Sequence, residues 1–309
     1  MRKDLLSIAD LDRKEIEQLI EQTGHMKIEG SPPLLSGRTL ALLFEKPSLR
    51  TKVSFEIAMY QLGGYGIYLS PEEVGLGKRE SVADVAQVLS RYVDGIVART
   101  FSQKTLHSLA SHSSVPVINA LSDLEHPCQA LSDLFTIYEK KGGFPDLTLA
   151  FIGDGNNVAN SLLLSACLVG MNFHFASPLG YVLKEKVLNQ GKEFAALSGS
   201  QIRLTNDPYE AVRDADIIYT DVWTSMGQEA EAEKRRLVFS GYQVDNKLLS
   251  SAKEDVIFMH PLPAHRGEEI STGLLDDPRS VAFNQAENRL HLQKALLVKL
   301  LSNHKVPVK

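Results

Sequence analysis

The stretch FEKPSLRTKVSFE, Phe44 to Glu56, sets Lys46, Ser48, Arg50, Thr51 and Lys52 between an apolar run and a helical pattern. Ser48 stands where strand gives way to helix, so Arg50, Thr51 and their backbone N–H groups fall in the first helical turn. Such a terminus carries roughly half a positive charge and free donors, an arrangement that binds anions. The plainer reading is an N-cap serine with a surface arginine beside it.

Other polar stretches have the same placement. In EHPCQALSDL, His126 and Gln129 are three apart at a loop-to-helix junction, with Pro127 suited to the first helical position. An imidazole and an amide there can hold a carbonyl oxygen and an amino group; a structural histidine is the alternative. Arg99 ends the apolar run of VART, where a buried guanidinium needs either an anionic ligand or an internal ion pair. FIGDGNNVANS lacks the third glycine of a dinucleotide fingerprint, having Val158 there, so a nicotinamide cofactor is not supported. Asn156 or Asn157 could instead offer an amide to a small ligand. YTDVWTSMGQE ends a strand with Asp221 and continues through Ser225, Met226 and Gly227, groups that suit a zwitterionic amino acid.

These residues need strand ends and helix starts to carry them. Leu11, Asp12 and Glu15 predict a capped first helix bearing Ile16, Leu19 and Ile20. RTLALLF, YGIYL, DGIVA and VPVIN read as strands alternating with helices, and continuous apolar strands of this kind imply a parallel sheet covered on both faces. KGGFPD, Lys141 to Asp146, breaks the pattern before it restarts with LTLAFIGDG, then NFHFA, QIRLT, DIIYT and DVIFM. The chain closes on a helical NRLHLQKALLVKLL. The expected fold class is α/β: two doubly wound parallel-sheet domains with the substrate site in the cleft between them. The domains are residues 1–140, completed by 285–309, and residues 147–284.

A formal net charge of -5 argues against a nucleic-acid partner. Two cysteines, Cys128 and Cys167, make no disulfide framework and no zinc spacing, which fits a reducing compartment. Asp4, Asp10 and Asp12 interrupt any apolar leader, and SLLLSACLVGMNFHFA reads as buried helix then strand rather than as a membrane span. The expectation is a cytoplasmic protein.

Together and in this order, the motifs resemble the aspartate/ornithine carbamoyltransferase family, and its ornithine-specific branch in particular, from about Leu5 to Leu301. That family's S-T-R-T-R corresponds to Ser48-Leu49-Arg50-Thr51-Lys52, and its H-P-x-Q to His126 through Gln129. Its D-G-N-N, D-x-W-x-S-M-G and H-C-L-P segments begin at Asp154, Asp221 and His260. The resemblance implies that carbamoyl phosphate binds through Ser48, Leu49, Arg50, Thr51, Arg99, His126, Gln129 and Arg289. Of these, Arg50, Thr51, Arg99, His126 and Gln129 would serve catalysis. It implies that ornithine binds through Asn157, Asp221, Ser225, Met226, Pro261 and Leu262, with no cofactor and no metal, in a homotrimer.

The chain departs from the family pattern in three places. Lys52 replaces an arginine and loses its bidentate fork. Gly75, in VGLGKRES, stands where many relatives have Gln or His in a loop expected to reach a neighbouring subunit, leaving Lys78 or Arg79 for that role. Pro261 replaces the cysteine usual in ornithine enzymes, giving the H-P-L-P of aspartate enzymes, although DVWTSMGQE and PAHRGEE are ornithine-type. Aspartate, putrescine or N-acetylornithine as acceptor, and a non-catalytic amino-acid-binding protein on the same fold, remain the alternatives.

Overall fold

The computed structural model describes residues 4–302 apart from 78, 226 and 228. The chain divides into two compact units, residues 1–135 with 288–309, and residues 136–287.

The first unit is built on a parallel sheet in the order β2-β1-β3-β4, comprising β1 Thr39–Phe44, β2 Tyr65–Leu69, β3 Gly95–Arg99 and β4 Val117–Leu121. Its helices are α1 Arg13–Ile28, α2 Leu49–Gln61, α3 Pro71–Val74, α4 Val82–Leu89 and α5 Gln103–His112. To these are added most of α6 Pro127–Lys141. Asp12 and Glu15 form the expected capping box of α1. A second box, Ser70 with Glu73, starts α3 inside what the sequence presents as a polar loop. Chain direction reverses outward from β1 and β3, so their carboxyl ends mark the switch point where ligands bind doubly wound sheets. Phe44 and Arg99 are register partners there.

The second unit's sheet runs β7-β6-β5-β8-β9, all parallel. Its strands are β5 Thr148–Ile152, β6 Asn172–Ala176, β7 Ile202–Thr205, β8 Ile217–Tyr219 and β9 Ile257–Met259. The helices are α7 Asn157–Val169, α8 Glu185–Ser198, α9 Pro208–Val212, α10 Ala232–Phe239 and α11 Asn246–Leu249. Here the switch lies between β5 and β8, which lead into Asp154 and Asp221. Ala150, Ile152, Ile218, Phe239 and Phe258 share one core cluster of this unit. The last helix, α12 Ala282–Leu301, crosses the division and lends its second part to the first unit.

Two expectations need correction. Strand β2 is not covered on both faces, since it is an edge strand with Tyr65 65% exposed. The closing helix starts at Ala282, earlier than its apolar spacing indicates, because the polar Gln285 and Asn288 in its first turns are themselves buried. Among the described residues no helix is long and apolar enough to cross a membrane.

Candidate active site

In the first unit the site is assembled on the β1 and β3 ends. Ser48 has the extended backbone of an N-cap, and its Oγ accepts from the Thr51 N–H at 3.4 Å and lies 3.0 Å from Thr51 Oγ1. That closure starts α2 and buries Thr51 completely, while Leu49 points outward and Arg50 is half-buried. From α12, the Arg289 guanidinium donates through Nη2 to Thr51 Oγ1 at 2.8 Å.

Arg99, only 5% exposed, supplies the decisive electrostatic feature. Burial first, then repulsion from Arg289 and Arg50, pushes its pKa down to about 10. Its Nε has no hydrogen-bond partner, and among the described residues no carboxylate pairs with it. The internal ion pair offered as an alternative is therefore not there. His126 is driven well below the ordinary histidine range by burial, then by Arg289, Arg99 and Lys46, so its ring is neutral at neutral pH. The loop carrying it is tied down by Glu125, whose carboxylate accepts from the Ile8 N–H at 3.0 Å and from Ser7 Oγ.

Gln129 is pinned by Nε2 donating to Asp133 Oδ1 at 2.8 Å, leaving Oε1 a buried acceptor without a hydrogen-bond partner. A buried acceptor in the first turn of the helix that follows the neutral imidazole, with the cations that surround His126, matches a ligand with an amino group, a carbonyl and an anionic end. Lys46, given no role from the sequence, belongs to this cluster: burial, then Arg99, lowers its pKa, and its ammonium lies 4.7 Å from the Phe101 ring centroid. Lys52 instead stacks its ammonium 4.1 Å from the Tyr68 ring centroid.

The second unit gathers a different set. Asn156 caps α7 with Oδ1 and donates through Nδ2 to Asp221 Oδ2 at 2.8 Å, so its amide is already engaged; Asn157, the first helical residue, is half-buried. Asp221 also accepts from the Val222 N–H, and burial raises its pKa against the lowering by His260. Gly155 has a steric reason: a Cβ there would meet the Val182 carbonyl at 2.3 Å.

Arg235 of α10 donates to Asp154 Oδ2 at 2.8 Å and to the Trp223 carbonyl at 2.9 Å. This bracket holds the loop bearing the half-buried Ser225. Met226, and Lys78 in the first unit, lie outside the described residues. Pro261 is buried, and Leu262 takes a left-handed φ of 54°. Leu262 is fixed by its N–H donating to His260 Nδ1 at 2.9 Å, which leaves the His260 proton on Nε2, 3.1 Å from Glu269 Oε1. Arg235 and Glu269 escaped the sequence reading, and His260 entered it only as the start of a motif, without a role. Only the His260 motif gave a signal, because the other partners meet through the fold.

Among the described residues, His265, Glu268 and Glu269 have ligand atoms within 4.8 Å of one another, a metal-binding spacing.

Two family models match the chain. The aspartate/ornithine carbamoyltransferase carbamoyl-P binding domain covers residues 3–139, and the Asp/Orn binding domain of the same family covers residues 145–300. The ornithine carbamoyltransferase of Anoxybacillus flavithermus is 54% identical over 97% of this chain and 96% of its own length. That of Thermococcus kodakarensis is 52% identical, covering 98% of each chain. The solved ornithine carbamoyltransferase of Pyrococcus furiosus superposes with a TM-score of 0.95 at 49% identity, covering 98% of each chain.

Proposed function

The chain belongs to the aspartate/ornithine carbamoyltransferase family, and from that premise we infer how its residues transfer the carbamoyl group of carbamoyl phosphate to the δ-amine of L-ornithine, giving L-citrulline and phosphate. The observation that carries the reading is Arg99, a buried guanidinium among other cations with no carboxylate partner among the described residues. Such a group is stable only where an anion arrives.

Carbamoyl phosphate occupies the first unit. Its phosphate takes the N-terminus of α2 through Ser48, Leu49, Arg50 and Thr51, with Arg289 completing the shell. The carbamoyl oxygen faces Arg99, His126 and Thr51, and the carbamoyl NH2 donates to Gln129 Oε1. Attack by the ornithine δ-nitrogen forms the new C–N bond and puts negative charge on the carbamoyl oxygen, which these donors stabilise. Collapse breaks the bond to phosphate, and the leaving group departs into the helix terminus and Arg50. A neutral His126 suits this role because it donates a hydrogen bond without adding a further cation.

Ornithine occupies the second unit. Asp221, set in orientation by Asn156, takes the α-amino group, while Asn157, Ser225 and Met226 hold the remaining polar atoms. Leu262, between Pro261 and Pro263, offers its carbonyl as a hydrogen-bond acceptor to the neutral δ-amine, whose proton passes to the departing phosphate as the C–N bond forms. An alkyl amine with pKa about 10.4 is neutral at pH 7 roughly once in 2,500 molecules, so an environment that favours the neutral amine raises the rate directly.

The reading extends to a cytoplasmic homotrimer used in arginine metabolism and amino-acid biosynthesis. The trimer is supported by an exposed apolar stripe on α2, Leu49, Val53, Ile57 and Tyr60, beside Tyr65 and Ile67 of the β2 edge. Contiguous exposed apolar side chains of this kind suit a contact surface between copies. Purified protein assayed with carbamoyl phosphate against ornithine, aspartate, putrescine and N-acetylornithine tests the acceptor. Citrulline as the dominant product supports the reading, and turnover of aspartate in its place removes it.

A further inference from the structure

The turn after Leu262 holds a group of side chains of which only Glu269, through His260, bears on carbamoyl transfer. His265, Glu268 and Glu269 present Nδ1, Oε2 and Oε2 towards one another, with His265 Nδ1 3.8 Å from Glu268 Oε2 and 3.9 Å from Glu269 Oε2. The backbone beneath them is closed by Gly267 N–H donating to the Ile270 carbonyl at 2.7 Å and Glu268 N–H to the His265 carbonyl at 2.9 Å.

Glu269 makes this more than a surface cluster. The residue is 0% exposed, and its Oε1 accepts from His260 Nε2 at 3.1 Å and from the His265 N–H at 2.6 Å. Its Oε2 is buried with no hydrogen-bond partner and is aimed at the cluster. A carboxylate oxygen held this way strongly favours a cation beside it.

We propose that the turn from His265 to Glu269 is a divalent transition-metal site, taking Zn2+ through His265 Nδ1, Glu268 Oε2 and Glu269 Oε2, with water completing the shell. Zinc bonds of about 2.0–2.2 Å place tetrahedral ligands roughly 3.3–3.6 Å apart, so the two separations from His265 need to contract by only a few tenths of an ångström, while the three ligand atoms lie within 4.8 Å of one another. His265 can supply that movement, its side chain being 48% exposed. One imidazole and two carboxylates suit zinc over magnesium or calcium, which prefer all-oxygen shells. Neither thiol competes, because burial raises the Cys128 pKa to about 12 and that of Cys167 to about 11. Arg236 does compete, its guanidinium lying 3.0 Å from Glu268 Oε1. The site is independent of the transferase reading.

The test is calorimetric titration of Zn2+ into the chelator-stripped full-length protein in phosphate-free buffer, with metal counted by mass spectrometry after dialysis. The expected result is one saturable ion per chain, bound with proton release. His265→Gln and Glu268→Gln should each weaken it about tenfold or more. Arg236→Ala should tighten it, since a rival cation is removed. Glu269 is left intact because it also holds His260, and circular dichroism with the ornithine assay verifies that the variants fold. Absence of saturable binding to wild type, or equal binding by folded His265→Gln, overturns the proposal.

Discussion

Arg289 reaches across 238 positions of sequence to place Nη2 2.8 Å from Thr51 Oγ1 within one compact unit. This contact ties the returning C-terminal helix to the first turn of α2, and it puts a second guanidinium beside Arg99 and His126. Arg289→Met should therefore raise the pKa of His126, because the largest charge acting on it after burial is removed. NMR titration of the His126 ring checks this. An unchanged titration would mean that desolvation alone sets the value.

His126 also makes stability depend on pH. Its folded pKa lies below the unfolded value of 6.5, so the unfolded chain binds the extra proton. Its contribution is complete above pH 6.5 and is lost as pH falls below that value, with a limiting slope of about 1.4 kcal/mol per pH unit. Urea midpoints measured at neutral and mildly acidic pH should fall less steeply for His126→Gln than for wild type. Equal dependence in the two proteins would contradict the assignment.

Much of the candidate site is legible in the sequence because its residues lie at or shortly after strand ends, where an apolar run meets a polar cluster. Ser48, Arg50, Thr51, Arg99, His126 and Asp221 all carry that signature. Arg289 does not: it lies mid-helix, and only the resemblance to a family pointed to it. Lys46 was passed over because its partners, Arg99 and Phe101, come from another strand and loop. The Asp154 motif was legible, whereas its bond to Arg235 across 81 positions was not. Pairings between distant segments leave no local pattern of spacing.

Arg235→Met should raise the ornithine KM by tenfold or more, an order of magnitude set by about 1.5–3 kcal/mol for each charge-assisted hydrogen bond lost. The KM for carbamoyl phosphate should change little, since Arg235 brackets Asp154 and Trp223 of the second unit only. Steady-state kinetics with each substrate varied decide it. Equal loss for both substrates would indicate general unfolding.

The thiols give a further test. Cys128, between Pro127 and Gln129, is buried, its S–H donates to the Asn119 carbonyl at 3.3 Å, and burial raises its pKa to about 12. Cys167 is buried too, so native protein should resist alkylating reagents at neutral pH. Pro261→Cys should create a sensitivity that norvaline suppresses. Mass spectrometry of the labelled chain locates any adduct, and rapid labelling of native Cys128 would refute the account.

Subunit sharing is open to complementation. If the proposed homotrimer forms and the loop around Arg79 serves a neighbouring subunit, mixing Arg79→Ala with Arg99→Met protein should restore some activity. Light scattering establishes the mass of the mixed species, and verified mixed trimers without rescue would count against sharing.

The most direct measurement is calorimetric titration of phosphonoacetamide, a stable carbamoyl phosphate analogue, into wild type and Arg50→Ala. Arg50 is half-buried in the first turn of α2, and losing even one charge-assisted bond of about 1.5–3 kcal/mol weakens binding at least tenfold. The account predicts tight binding to wild type and none detectable in the folded variant. Equal affinity in both proteins would contradict the assignment of this helix terminus as the phosphate site.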